Sequence, residues 1–253
     1  MKKIFFKNSK NLNLVGSLWP SSSDAIIIMA HGSGGNRFAK GLFEKIAEDF
    51  QNHGYNVLSF DFSGHGESDD AIENMPNSID DLKSAISYVK KEGYERIALF
   101  GHSYGAFICL KCFSQDIETM ILLGPLTGPV NWNWESICTP EQIIEMNKIG
   151  YIEYPINDGL RKTIKFDANL FREIAEINQE ETIKQITSPV LIIHGDGDKE
   201  ELDLLNFSKK AISLLPKKSE LQLIKGASHN FLNHTNEVIN LSINWLKTYL
   251  PIK

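Results

Sequence analysis

Apolar residues along this chain follow two rhythms. Continuous apolar runs at residues 25–30, 97–100, 120–123 and 189–193 suit strands buried on both faces. Between them, apolar side chains recur at three- and four-residue spacing. Leu42, Phe43, Ile46, Ala47 and Phe50 form one such stripe within 38–51, and Ile79, Leu82, Ile86 and Val89 another within 78–92; Gly54 and Gly93 stop the two helices. Further strands are expected at 3–7 and 12–19, as a hairpin turned by Asn8-Ser9-Lys10-Asn11, and at 56–61 and 220–224. Further helices are expected from Ala106 onward, at 201–215 and at 238–250. Repeated strand-to-helix alternation requires right-handed crossovers, so the pattern predicts an α/β fold: a mostly parallel eight-stranded sheet with helices on both faces.

The rhythm breaks at about 125–187. Pro125, Gly128, Pro129, Trp132, Trp134, Pro140, Tyr151, Tyr154 and Pro155 precede a helical stretch at 170–177. Excursions of this length in a compact domain tend to be lids or binding loops. The expectation is one domain over residues 1–253 carrying this segment as a small lid, with Trp132 and Trp134 lining an apolar or aromatic acyl pocket. In the plainer alternative those aromatics only staple the insertion to the body.

Composition narrows the partners. Hydrophobic content of 42% and charged content of 23% are ordinary for a globular protein, and the net charge of −6 comes without a basic cluster, which argues against nucleic acid. The apolar run after Met1-Lys2-Lys3 stops at three residues, whereas a secretory core needs about seven. No segment reaches the roughly 18–20 apolar residues of a membrane span. Cys109, Cys112 and Cys138 are too few and too irregular for a disulfide framework, and Cys109-x-x-Cys112 falls inside the expected helix after residue 103, which favours core packing over metal or redox work. A reducing, cytoplasmic setting is the expectation.

Three strand ends carry chemistry. Gly101-His102-Ser103-Tyr104-Gly105 sits between an apolar strand and a helix, the context of a nucleophile elbow, in which glycines let strand and helix close around an exposed serine. His31-Gly32-Ser33-Gly34-Gly35-Asn36-Arg37 follows the strand at 25–30 and lacks the spacing of a nucleotide-binding loop, so Ser33, with Tyr104 after the nucleophile, is the expected pair of backbone oxyanion donors. His194-Gly195-Asp196-Gly197-Asp198 and Gly226-Ala227-Ser228-His229 end the last two strands. The order Ser103, Asp198, His229 is that of elbow-bearing hydrolases. His65, in Asp61-Phe62-Ser63-Gly64-His65-Gly66-Glu67-Ser68, is expected to brace its own turn.

Through these five motifs the chain resembles α/β-hydrolase superfamily serine esterases, particularly feruloyl/cinnamoyl esterases and monoacylglycerol lipases, over nearly its whole length. The resemblance implies Asp198 rather than Asp196 as the acid, although Lys199-Glu200-Glu201-Leu202 stands where a Val-Pro element is usual. It implies hydrolysis of short-chain or aromatic carboxylic esters through an acyl-enzyme on Ser103, with no metal or organic cofactor and a small-molecule ester as partner. A monoacylglycerol lipase or acyl thioesterase is the alternative, and a non-catalytic ligand receptor on the same scaffold a third. The oligomeric state is open, a homodimer being one option.

Overall fold

A computed structural model of the protein describes residues 1–156 and 159–252. Among these residues the chain forms β1 (Lys2–Lys7), β2 (Asn13–Trp19), β3 (Ala25–Ala30), α1 (Leu42–Asn52), β4 (Asn56–Phe60), β5 (Ile72–Glu73), α2 (Met75–Lys91), β6 (Arg96–His102), α3 (Tyr104–Lys111) and β7 (Ile117–Leu123). It continues through α4 (Pro140–Ile149), β8 (Tyr151–Pro155), β9 (Thr163–Asp167), α5 (Leu170–Ala175), α6 (Gln179–Ile183), β10 (Val190–Gly195), α7 (Lys199–Ala211), β11 (Glu220–Ile224) and α8 (Thr235–Tyr249). The large sheet has eight strands in the order β1-β2-β4-β3-β6-β7-β10-β11. It is mixed: the β1–β2 and β2–β4 pairings are antiparallel, and every other pairing is parallel.

Period-two alternation within the buried strands feeds two cores. In β3, Ile26, Ile28 and Ala30 join the cluster on the α2 and α3 side, while Ile27 and Met29 join the one under α1 and α8. The flanking helices each bury one face: Leu42, Phe43, Ile46, Ala47 and Phe50 of α1, the stripe expected of it, and Val238, Ile239, Ile243 and Leu246 of α8. Helix α2 starts three residues earlier than its stripe suggests, because the Asn74 side chain accepts the Asn77 N–H and Pro76 lies in the first turn.

The segment between β7 and β10 is more structured than its composition suggests. Helix α4 opens on a reciprocal Thr139–Gln142 capping box and closes on Gly150 in the left-handed region. Strands β8 and β9 pair antiparallel, and β9 pairs parallel with the two-residue β5, giving a second, three-stranded sheet that joins the insertion to the body. Arg161 strengthens the join, donating to Gly66 O at 3.0 Å, to Asp70 at 2.9 Å and to Ser68 O. Lys165 adds a 2.7 Å contact to Asp70.

Candidate active site

The six parallel strands of the sheet, β4, β3, β6, β7, β10 and β11, end on the same side, and the loops after β3, β6, β10 and β11 converge there. The first is the turn from β6 into α3. Ser103 stands at its apex with φ +54°, a left-handed conformation that a serine adopts only where its surroundings enforce it. Enforcement comes from close packing: a Cβ on Gly105 would lie 2.2 Å from Ala30 O, so only glycine lets α3 seat against the end of β3. Ser103 N–H donates to Leu123 O at 2.8 Å, while Ala106 and Phe107 donate to Ser103 O and start the helix. The serine hydroxyl faces a cavity of about 370 Å³ lined by Ser33, Asn36, Trp132, Glu200, His229 and Leu232 among others.

Ser103 Oγ lies 2.8 Å from His229 Nε2, across 126 residues of sequence. The other ring nitrogen, Nδ1, lies 2.5 Å from Glu201 Oε1. An ionised carboxylate only accepts, so His229 carries its proton on Nδ1 and presents a bare Nε2 to the serine hydroxyl. Gly124, at φ +54°, makes this contact possible. A Cβ there would come within 2.6 Å of Glu201 Oε1 and 3.0 Å of His229 Cε1.

Asp198, expected against the imidazole, is not there, and this corrects the reading of the acidic turn. Its Oδ1 accepts the Glu201 N–H at 2.9 Å as the cap of α7, and its Oδ2 accepts the His229 backbone N–H at 2.7 Å. Both oxygens are thus engaged with main chain, and the longer Glu201 side chain, on the first turn of α7, reaches the ring instead. Asp-x-x-Glu at a helix start ordinarily signals a glutamate folding back onto the cap. Here the glutamate turns inward and is fully buried. Its second oxygen accepts from Gly195 N at 2.7 Å and His194 Nδ1 at 2.8 Å, and His194 Nε2 continues to Ser208 Oγ at 2.8 Å. Burial opposes the charge, yet the hydrogen bonds from His194 and His229, the His194 field and the Gly195 N–H outweigh it and hold the Glu201 carboxyl down at about 2.

His229 feels the same balance with the sign reversed. Burial disfavours its charged form, but the Glu201 hydrogen bond and the negative charges of Glu200, Glu201 and Asp198 raise its pKa above the ordinary histidine value. Glu200 is the exposed member of that group, with Oε1 3.6 Å from His229 Nε2. His102 lies beside the pair with ring centroids 5.1 Å apart, and its Nε2 donates to His229 O at 2.8 Å. Burial and the neighbouring His229 push the His102 pKa down to about 4, so it serves as a neutral brace.

Ser33 lines the cavity on the loop after β3, and its Oγ donates to Glu73 at 2.6 Å. Tyr104 opens α3; its ring points into the core, where its hydroxyl donates to Ser78 at 3.2 Å, leaving only its main chain beside the serine. Of the two tryptophans expected at the substrate, Trp132 lines the cavity and Trp134 does not. Trp134 is stacked on Phe171 within the insertion, centroids 3.9 Å apart, and its Nε1–H donates to Ala168 O. Its position is therefore that of a staple, because the indole finds both its apolar and its polar partner inside the segment. Trp132 and Glu200 also edge a neighbouring hollow of about 720 Å³ that runs along α7. His65 is buried away from the cavity in contact with Glu73.

Cys109 and Cys112 are buried in α3, and burial pushes the Cys112 thiol up to about 12, which leaves both as packing residues. Among the described residues no helix is long and apolar enough to cross a membrane.

The chain is similar to known proteins in sequence and in fold. A family model described as serine aminopeptidase, S33, matches residues 21–146. A monoglyceride lipase homolog of monkeypox virus is 22% identical, over 89% of each chain. The α/β hydrolase GrgF from Penicillium sp. sh18 superposes with a TM-score of 0.80 at 19% identity, over 98% of both chains. The chain has the α/β-hydrolase fold. A second hydrolase structure, Est1E from Butyrivibrio proteoclasticus with ferulic acid bound, superposes with a TM-score of 0.75 at 22% identity, over 98% of this chain and 99% of that one. Coverage is smaller elsewhere: this chain spans 46% of human protein ABHD12B, at 27% identity.

Proposed function

We propose that this α/β-hydrolase cleaves carboxylic esters through an acyl-enzyme on Ser103, with His229 as the base and Glu201, not Asp198, as the acid. The observation that carries the reading is the continuous contact from Ser103 Oγ through His229 to an ionised, fully buried Glu201. As the serine oxygen attacks the ester carbonyl carbon, its proton passes to His229 Nε2. The ring becomes an imidazolium, and Glu201 stabilises it across Nδ1–H. The carbonyl oxygen, now negative, is received by the backbone N–H groups of Ser33 and Tyr104. Collapse of the adduct expels the alcohol, protonated by His229, and water repeats the sequence on the acyl-enzyme.

Size favours a short-chain or aromatic acyl group. A cavity of about 370 Å³ bordered by Trp132 and Leu232 lies at the small end of the roughly 300–1,000 Å³ typical of ligand sites. The neighbour with ferulic acid bound supports the aromatic option. The poxviral monoglyceride lipase homolog supports a second reading, a monoacylglycerol or thioester substrate whose remainder extends past Trp132 into the adjoining hollow. The three free cysteines fit a reducing, cytoplasmic setting, and the insertion over Ser103 fits a lid on a single domain.

Fluorophosphonate labelling, followed by hydrolysis rates on p-nitrophenyl esters of increasing chain length, methyl ferulate and a monoacylglycerol, tests this. The expected result is one adduct on Ser103 and fastest turnover on acetyl to butyryl or feruloyl esters. Absence of an adduct would favour a ligand receptor, and a maximum at long acyl chains would favour the lipase reading.

A further inference from the structure

A glycine-rich loop is a poor place to hold an oxyanion donor unless something fixes it. Gly32-Ser33-Gly34-Gly35 has three residues without a side chain, so its own conformational restraint is small. Yet an oxyanion donor is effective only when it is held in place before charge develops. Ser33 supplies the one side chain in this stretch, and it is anchored: its Oγ donates to Glu73 Oε1 at 2.6 Å.

Glu73 is itself fixed. It is 2% exposed, and its Oε2 lies 2.7 Å from His65 Nε2. His65 Nδ1 faces Ser63 O at 3.2 Å, so both ring nitrogens meet acceptors and the ring is an imidazolium paired with the buried carboxylate. Burial works against charging the ring, but the Glu73 charge and hydrogen bond, with the Ser63 carbonyl and Asp61, raise its pKa. The His31 ring lies 5.1 Å away, and its Nδ1 lies 2.8 Å from Gly32 O. Glu73 also belongs to β5, whose partner is β9 of the insertion, Glu73 standing opposite Phe166. From the same strand, Ile164 is buried against the loop: a Cβ on Gly34 would lie 3.5 Å from its Cδ1. The insertion therefore reaches the loop at two successive residues, through Glu73 at Ser33 and through Ile164 at Gly34.

We propose that Glu73 is a positioning residue for ester hydrolysis: through the Ser33 hydroxyl it fixes the backbone N–H that receives the oxyanion, with β9 of the insertion as its backing. This rests on the serine-hydrolase reading above. Glu73 touches neither substrate nor reacting atoms, so it acts on the adduct and not on the bound ester.

Glu73→Ala and Ser33→Ala, the latter keeping the Ser33 N–H and losing only its anchor, test the proposal on an ester that the wild-type enzyme turns over. Both variants are expected to lose about 10- to 100-fold in kcat with KM within about twofold, a smaller loss than the roughly 10²–10³ of deleting a donor outright. Affinity for an aryl trifluoromethyl ketone, which forms a tetrahedral adduct on Ser103, should fall in proportion to kcat. Glu73→Gln, able to accept from Ser33 and donate to a neutral His65, should restore most of the rate. The double variant should be no slower than Glu73→Ala alone, because the two act through one bond. If Glu73→Ala does not fold, Ser33→Ala decides alone. Wild-type kcat in Ser33→Ala, or losses confined to KM and thermal stability, would overturn the inference while leaving the esterase intact. A wild-type enzyme that neither takes up the fluorophosphonate nor hydrolyses any ester would remove both.

Discussion

His229 and His65 each meet a buried glutamate, and they do different things. In His229–Glu201 the carboxylate takes one ring nitrogen and the other faces a serine hydroxyl at the floor of a cavity. In His65–Glu73 both ring nitrogens meet acceptors and neither reaches the cavity. The residue types and the contact lengths hardly differ. What separates the base from this brace is the partner of the last nitrogen and its access to the cavity: a hydroxyl leaves the ring neutral and able to take a proton, whereas a carbonyl keeps it a donor. His194, which meets Glu201 and the Ser208 hydroxyl, has the base's partners but is sealed in the core.

The sharpest way to break the comparison is to remove each carboxylate's charge in turn. Glu201→Gln should lower kcat/KM by about 10³–10⁴, as loss of the acid does in other serine hydrolases, whereas Asp198→Asn should cost roughly tenfold or less, since its oxygens serve only backbone donors. Steady-state kinetics on the two variants suffices, and equal losses would return Asp198 to the acid's place. Next in size is Gly124→Ala. With a Cβ 2.6 Å from Glu201 Oε1 it should separate acid from base and lower kcat by about 10²-fold, a loss of the order that a misplacement of about 1 Å causes, with circular dichroism checking that the fold survives.

The brace should answer in stability as well as in rate. His65→Ala leaves Glu73 buried beside an empty site and should destabilise the fold by about 3–5 kcal/mol in urea titration. Because the His65 pKa is raised in the fold, its charge stabilises below the unfolded value, and that contribution is lost as pH climbs through the folded one. The deficit of the variant should therefore narrow in alkali. The smallest effect is a shift in a profile. His229 must be neutral to accept a proton, and its pKa is raised, so kcat/KM should fall in acid with a limb above the ordinary histidine value. Glu200→Gln removes one of the charges that raise it and should move that limb to lower pH.

Where a stretch of sequence settled its own structure, reading it was straightforward. The eight strands of the large sheet and their flanking helices follow from apolar runs and stripes that local burial enforces, and Ser103 and His229 follow from turns at strand ends. The acid was different. Asp198 and Glu201 are both acidic residues at the start of α7, and which one meets the ring depends on side-chain length and on two backbone donors brought together by folding. The three-stranded sheet was hidden for a related reason: β5 is two residues long and pairs with a strand some ninety residues later. Helix α4 was more accessible, since Thr139-Pro140, Gln142 and Gly150 mark its ends, but a weak stripe with Met146 as its one buried residue masked it.

The serine's backbone carries a consequence of its own. A left-handed φ of +54° at a residue with a Cβ stores conformational energy at the position where the bond to substrate would form. Replacing that residue with glycine would release the energy and abolish turnover together, so the inert protein should melt later than the working one. Selection for durability and selection for catalysis thus pull in opposite directions on a single backbone torsion.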